Sequence, residues 1–90
     1  KIKIIIEARN LNEVIQIINT GGVNRILLDN FSVTKTDEAV KYVNQRYELE
    51  SSGNINIKNV RDYALCGVNY ISIGSLTHSI KNIDLSMICR

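Results

Sequence analysis

Brief apolar runs alternate with stretches of helical period along the whole chain. Ile2 to Glu7 is apolar, β-branched and continuous, which predicts a strand buried on both faces. From Leu11 to Asn19 the period changes, and Leu11, Val14, Ile15 and Ile18 fall on one helical face. Asn10 is the predicted N-cap, Glu13 stands three residues on as in a capping box, and Gly21-Gly22 ends the helix. Arg25 to Leu28 is the second strand, running into Asp29-Asn30. A second helix is expected from Thr36 or Asp37 to about Arg46, with Ala39, Val40 and Val43 as its apolar stripe. Tyr47 to Ser51 is the third strand. Asn56 to Cys66 is the third helix, with Ile57, Val60, Tyr63 and Ala64 facing inward and Gly67 closing it. Asn69 to Ile73 is the fourth strand. Leu76 to Asn82 reads as a short helix, and Ile83 to Cys89 as an apolar segment of open type.

Strands alternating with helices imply parallel pairing through right-handed crossovers. The landmarks at the strand ends are Glu7, Asp29, Gly53 and Gly74, spaced 22, 24 and 21 residues apart. Units this regular suit a βα barrel, and an open Rossmann-type sheet would also produce them. The first strand ends in Glu7-Ala8-Arg9-Asn10, which lacks the G-x-G-x-x-G turn of a dinucleotide site. Four parallel strands leave two open edges, and an eight-stranded barrel takes about 250 residues. The expected fold class is therefore α/β: the C-terminal part of an incomplete, TIM-like βα barrel, with residues 1–90 as one unit and the early barrel strands missing.

Composition narrows the function. With 44% hydrophobic and 22% charged residues, the chain has the balance of a soluble globular domain. Its net charge of +2 comes from scattered lysines and arginines, which argues against nucleic acid and anionic membranes as partners. No apolar run approaches the roughly 20 residues of a spanning helix, and no cleavage site follows the first strand as in a signal peptide. Cys66 and Cys89, with a single histidine, lack metal-ligand spacing. Cys66 is expected as a buried free thiol, and a reducing cytoplasm fits that usage.

In parallel βα folds the ligand site lies at the C-terminal ends of the strands. There the chain presents Glu7, Asp29, Ser52-Gly53-Asn54 and Gly74 in order, with His78 in the turn beyond. A carboxylate closing an apolar run, as Glu7 does, suits a ribose hydroxyl or, through water, Mg²⁺; it also suits the N-terminus of the following helix. Asp29 reads as a ligand, as an Asx turn or as an N-cap. Ser52-Gly53-Asn54 offers a hydroxyl and successive amides, a nest for an anion, or simply a tight turn before a helix. Two such turns, at Gly53 and Gly74, could hold one phosphate between them. His78 reads as a structural hydrogen-bonder or as a site residue. Thr77 and Ser79 read as helix caps, and Tyr42, Tyr47, Tyr63 and Tyr70 as packing residues. Glu50 points either to the barrel interior or to a partner cation.

These blocks match a family. Ile6-Glu7, Leu27-Leu28-Asp29-Asn30, Glu50-Ser51-Ser52-Gly53-Asn54-Ile55, the stretch from Gly67 to Ser79, and Asp84 together resemble quinolinate phosphoribosyltransferase, also called carboxylating nicotinate-nucleotide pyrophosphorylase. The resemblance covers essentially the whole chain, in order and spacing. It implies the C-terminal part of a barrel that follows an N-terminal α/β sandwich domain, itself absent here. It implies transfer of a phosphoribosyl group from 5-phosphoribosyl-1-pyrophosphate to quinolinate with Mg²⁺, giving nicotinate mononucleotide, pyrophosphate and CO₂ in NAD biosynthesis. By position, Glu7 and Asp29 match the catalytic acids that hold the ribose hydroxyls and, through water, the metal. Ser52, Gly53 and Asn54 match the phosphate turn, Gly74 the glycine of the next one, and His78 the histidine that follows. A homodimer or higher oligomer is implied for the full-length protein.

Two positions depart from the family pattern. Ile5 stands where a second glutamate is usual, and Asn54 where a glycine is usual; asparagine tolerates left-handed backbone better than most residues. The arginine and lysine cluster that a dianionic acceptor and a pyrophosphate require is absent, and Arg9 and Arg25 do not fall at motif positions. The isolated 90 residues are therefore expected to be inactive. Two alternatives remain open at this level. One is a paralogous phosphoribosyltransferase-like protein with another acceptor. The other is a non-catalytic fragment serving as an interaction module through the exposed edge of its first strand.

Overall fold

The computed structural model describes residues 2–74 and 80–84. Five strands form one sheet in the order β1-β2-β3-β4-β5: β1 (Ile5–Ala8), β2 (Arg25–Asp29), β3 (Glu48–Ser52), β4 (Tyr70–Gly74) and β5 (Ile80–Asp84). The first four are parallel and β5 is antiparallel to β4. Helices α1 (Leu11–Thr20), α2 (Val33–Val43) and α3 (Val60–Leu65) connect the parallel strands, and α1 packs on α2 and α2 on α3. Strand order follows chain order without reversal. Right-handed crossovers then keep every helix on the same side, as in a barrel wall and unlike a doubly wound sheet. The sheet is not closed into a barrel within the described residues.

One core layer fills the space between sheet and helices. Ile26 and Leu28 of β2, Leu49 of β3 and Ile71 of β4 face it, and Val14 of α1, Ala39 and Val43 of α2 and Tyr63 of α3 meet them. Strand residues two apart share a face, so this assignment sends Arg25, Leu27 and Asp29, and Glu48, Glu50 and Ser52, to the opposite, helix-free face. Buried Tyr63 anchors α3, its hydroxyl donating to the Phe31 carbonyl at 2.7 Å. Burial pushes the Tyr63 phenol pKa up. Tyr63→Phe orphans that carbonyl and is expected to destabilise the protein by about 1–2 kcal/mol, read as a lower urea midpoint at unchanged slope. An unchanged midpoint would show that the bond contributes nothing net.

Several expectations are corrected by the structure. The first strand is not buried on both faces: Ile4 just before β1, and Ile5 and Ile6 within it, are 45%, 49% and 39% exposed, and among the described residues only β2 pairs with it. Helix α2 begins three residues before Thr36. Ser32 is the N-cap, its hydroxyl accepting from the Lys35 amide at 3.1 Å, while Thr36 is buried and donates back to the Ser32 carbonyl. The helix ends at Val43 rather than Arg46, because Asn44 takes left-handed backbone and its amide bonds the Val40 carbonyl. Helix α3 is shorter than expected, and Ile57 is 87% exposed in the turn that precedes it. Cys66 is a free thiol but only half-buried, near the Val33 and Asp62 carbonyls, and burial pushes its pKa up. Residues 80–82, expected in a short helix, lie in β5. Ile80 to Asp84 pairs along the free edge of β4, and the ladder satisfies backbone groups on both strands.

Candidate functional site

The register places Glu7, Asp29 and Ser52 on one face at one end of the sheet. Glu7, Leu27, Glu50 and Tyr70 are aligned across β1 to β4. One layer further toward the strand C-termini, Asp29 is paired with Ser52. Glu7 and Asp29 are thus diagonal neighbours on adjacent strands, on the face the helices leave free. Glu7 is exposed and Asp29 half-buried. Gly74 ends β4 and pairs with Ile80. His78 lies outside the described residues.

The turn after β3 is built for a close approach. Gly53 has φ +83°, and a Cβ there would stand 2.9 Å from Asn30 Oδ1 and 3.1 Å from the Asn30 amide nitrogen. Asn54 also takes a positive φ, +29°. Among the described residues, no group accepts from the amides of Gly53, Asn54 or Ile55, so three successive donors stand free. Consecutive amides in such a turn form an anion-binding concavity. Gly53→Ala combines positive φ with a contact the backbone of Asn30 must relieve. It is expected to cost about 1–2 kcal/mol of stability, checked by denaturation, and to weaken any anion seated on these amides, checked by titration with ribose 5-phosphate. A variant that matched the parent in both would show the turn to be relaxed at this position.

Below the turn, the helix-free face carries a charge network. Arg25 Nη1 donates to Glu50 Oε1 at 3.0 Å and Nε to Glu48 Oε1 at 3.3 Å, while the guanidinium lies 3.6 Å from the Tyr70 ring centroid. Ser72 Oγ donates to Glu50 Oε2 at 2.5 Å. Both alternatives for Glu50 therefore hold together: it faces the interior and it has a partner cation. Burial works against the Arg25 charge, but the hydrogen bond to Glu50, the Tyr70 phenol and the bond to Glu48 outweigh it and raise its pKa. Arg25 is committed to the scaffold and is not a free cation for an acidic ligand.

Beside the ends of β1 and β2, a cleft of about 330 Å³ is lined by Arg9, Asn10, Asn30, Phe31, Ser32 and Lys35. A larger one of about 590 Å³, near Arg46 and Asn69, lies at the opposite end of the sheet, away from the acids and the turn. No group of three His, Cys, Asp or Glu able to hold a metal occurs among the described residues. A pair of carboxylates remains, and that suits Mg²⁺, which keeps several waters and takes one or two carboxylates plus substrate oxygens. Asn30, which contacts Ser52, Gly53 and Asn54, is the residue beside the turn to which sequence reasoning gave no site role. Its signal was an asparagine directly after a strand-end aspartate, a residue type suited to left-handed backbone.

Residues 1–88 match the family model described as quinolinate phosphoribosyl transferase, C-terminal domain. The chain belongs to the quinolinate phosphoribosyltransferase family. It is 36% identical over 96 residues to quinolinate phosphoribosyltransferase [decarboxylating] 1 of Nicotiana glauca, covering 91% of this chain and 27% of that protein. It is 36% identical to the carboxylating nicotinate-nucleotide pyrophosphorylase of Dictyostelium discoideum, covering 96% and 29%. Among solved structures, the nicotinate-nucleotide pyrophosphorylase of Ehrlichia chaffeensis superposes with a TM-score of 0.76 at 46% identity, covering 89% of this chain and 29% of that one. The chain thus spans less than a third of the length of these quinolinate phosphoribosyltransferase relatives. No described helix is long and apolar enough to cross a membrane. Plant relatives include one named chloroplastic, from Oryza sativa, and one named mitochondrial, from Nicotiana tabacum.

Proposed function

We propose that this chain carries the ribose-phosphate half of a quinolinate phosphoribosyltransferase site. The observation that carries the reading is the turn after β3: the successive amides of Gly53, Asn54 and Ile55 have no acceptor among the described residues, and the turn adjoins Asp29 across the β2–β3 register. A 5-phosphate would sit on those amides, and the family resemblance adds Gly74 and His78 to its ligands. Glu7 and Asp29 would take the ribose hydroxyls and hold Mg²⁺ through water; the ion would shield the pyrophosphate charge as that group leaves. The full-length enzyme would join quinolinate to phosphoribosyl pyrophosphate, releasing pyrophosphate and CO₂ and yielding nicotinate mononucleotide.

The acceptor half must come from elsewhere in the full-length protein, which we read as a homodimer or higher oligomer of the cytoplasm. Arg25, whose side chain is only 12% exposed, already serves Glu48 and Glu50. The 90-residue chain alone is therefore expected to show no phosphoribosyl transfer to quinolinate, while the full-length protein turns over. Turnover above background by the isolated chain would refute the division of the site. A full-length protein that uses phosphoribosyl pyrophosphate but refuses quinolinate would favour the paralogue with another acceptor.

A further inference from the structure

Asparagines surround the Ser52–Asn54 turn, and the proposed reaction gives Asn30 and Asn59 no part. Asn30 follows Asp29 with φ +63°. Its amide donates to the Ser52 carbonyl at 3.0 Å, and its Oδ1 accepts from Asn54 Nδ2 at 3.0 Å. The same oxygen fills the space a Cβ on Gly53 would need. Asn30 thus touches all three residues of the turn. On the other side, Asn59 Nδ2 donates to the Asn54 carbonyl at 2.9 Å, and Asn59 Oδ1 accepts from the Asn56 amide at 2.8 Å. Asn59 occupies the N-cap position of α3 yet makes no capping bond, because its side chain is spent on the turn.

Peptide planarity turns these bonds into aim. The carbonyl of one residue and the N–H of the next point in opposite directions across a trans peptide plane. Holding the Ser52 carbonyl at Asn30 therefore directs the Gly53 N–H away from Asn30. Holding the Asn54 carbonyl at Asn59 likewise directs the Ile55 N–H away from Asn59. Asn54 itself sits at φ +29°, short of the left-handed well, a conformation that persists only when its surroundings over-determine it.

We propose that Asn30 and Asn59 are positioning residues that clamp the turn from β2 and from α3, fixing the direction of the amides that receive the phosphate. This rests on reading the turn as a phosphate site. The test uses the full-length protein and ribose 5-phosphate as probe. The variants are Asn30→Gly, which keeps the backbone unstrained, Asn59→Ala, Asn54→Gly, and Asn30→Gly with Asn54→Gly. Each of the first two is expected to weaken binding about tenfold in calorimetric titration, as the loss of a structured hydrogen bond would. The Asn30→Gly effect should shrink below about threefold on the Asn54→Gly background, since Asn30 acts through the Asn54 side chain. In the ligand-free protein, ¹⁵N order parameters at Gly53 and Ile55 should fall from about 0.85 toward 0.6 in the first two variants.

Unchanged affinity in both single variants, or a fully additive loss in the double variant, overturns the proposal. Should Asn30→Gly fail to fold, Asn59→Ala decides it. A parent protein without saturable ribose 5-phosphate binding overturns the phosphate reading instead. The order parameters then decide the clamp alone: lowered values uphold it and unchanged values overturn it.

Discussion

Arg25→Ala is expected to destabilise the protein by about 3 kcal/mol, the largest single-residue effect among the described ion pairs. The Arg25 and Glu50 side chains are 12% and 11% exposed, so both charges are largely removed from water. Breaking such a pair costs far more than the pair contributes net, because the remaining carboxylate stays buried with its attraction gone. Here that carboxylate would be Glu50, still bonded to Ser72 on β4 but facing Glu48 without the Arg25 cation between them. The stacking of the guanidinium on Tyr70 is lost as well. Arg25→Lys keeps a charge but cannot reach two carboxylates and a ring at once, so it should recover only part of the loss. Lys41→Ala is the control. Its bond to Asp37, one turn away on the solvent face of α2, is worth less than about 0.5 kcal/mol. Urea denaturation of the three variants separates the cases, and an Arg25→Ala midpoint no lower than that of Lys41→Ala would sink the argument.

The parts of the fold legible in the sequence are those where one period dominates. Val14 and Ile18 on α1, Ala39 and Val43 on α2, and the apolar runs at Ile26–Leu28 needed only their spacing. The errors arose where two signals competed. Ser32 and Thr36 are both cap-forming residues four apart, and tertiary burial of Thr36 decided in favour of the earlier start. Ile57 has the right period for an inward face, but Asn56 and Asn59 draw the chain into a turn there. β1 reads as a doubly buried strand because sequence pattern reports the intended environment, whereas the described sheet gives it a neighbour on one side only. β5 could not be read from the Ile80–Asp84 stretch alone, because its partner edge is a property of the assembled sheet.

The candidate site was legible in position and less so in wiring. Strand-end landmarks at Glu7, Asp29 and Gly53 sufficed to place acids and turn together, since a parallel sheet puts every strand C-terminus at one end. Pairing of Asp29 with Ser52 needed the register. The Arg25–Glu50–Ser72 network spans three strands and has no local sequence signature. Arg25 lies off the motif positions in the sequence, and its two carboxylate partners show where its charge is used instead.

On the proposed function, Asp29→Asn in the full-length enzyme should lower kcat at least about 100-fold while leaving stability within about 0.5 kcal/mol. The substitution is isosteric and keeps the register with Ser52, so what changes is a negative charge on the helix-free face. Departure of pyrophosphate leaves positive charge on the ribose ring, and a fixed carboxylate is worth most when that charge is greatest. Interaction made chiefly in the transition state appears in kcat, so KM for phosphoribosyl pyrophosphate should move by less than about tenfold. Glu7→Gln should act in the same direction, because Glu7 stands diagonal to Asp29 on the neighbouring strand of the same face. If the two carboxylates serve one ribose and one ion, the double variant should lose far less than the product of the single losses. Glu48→Gln, which alters the Arg25 network one layer below Glu7 and two below Asp29, should lower stability modestly and leave kcat near the parent value. Equal kcat values for Asp29→Asn and Glu48→Gln would remove Asp29 from the chemistry and leave it as a strand-end turn residue.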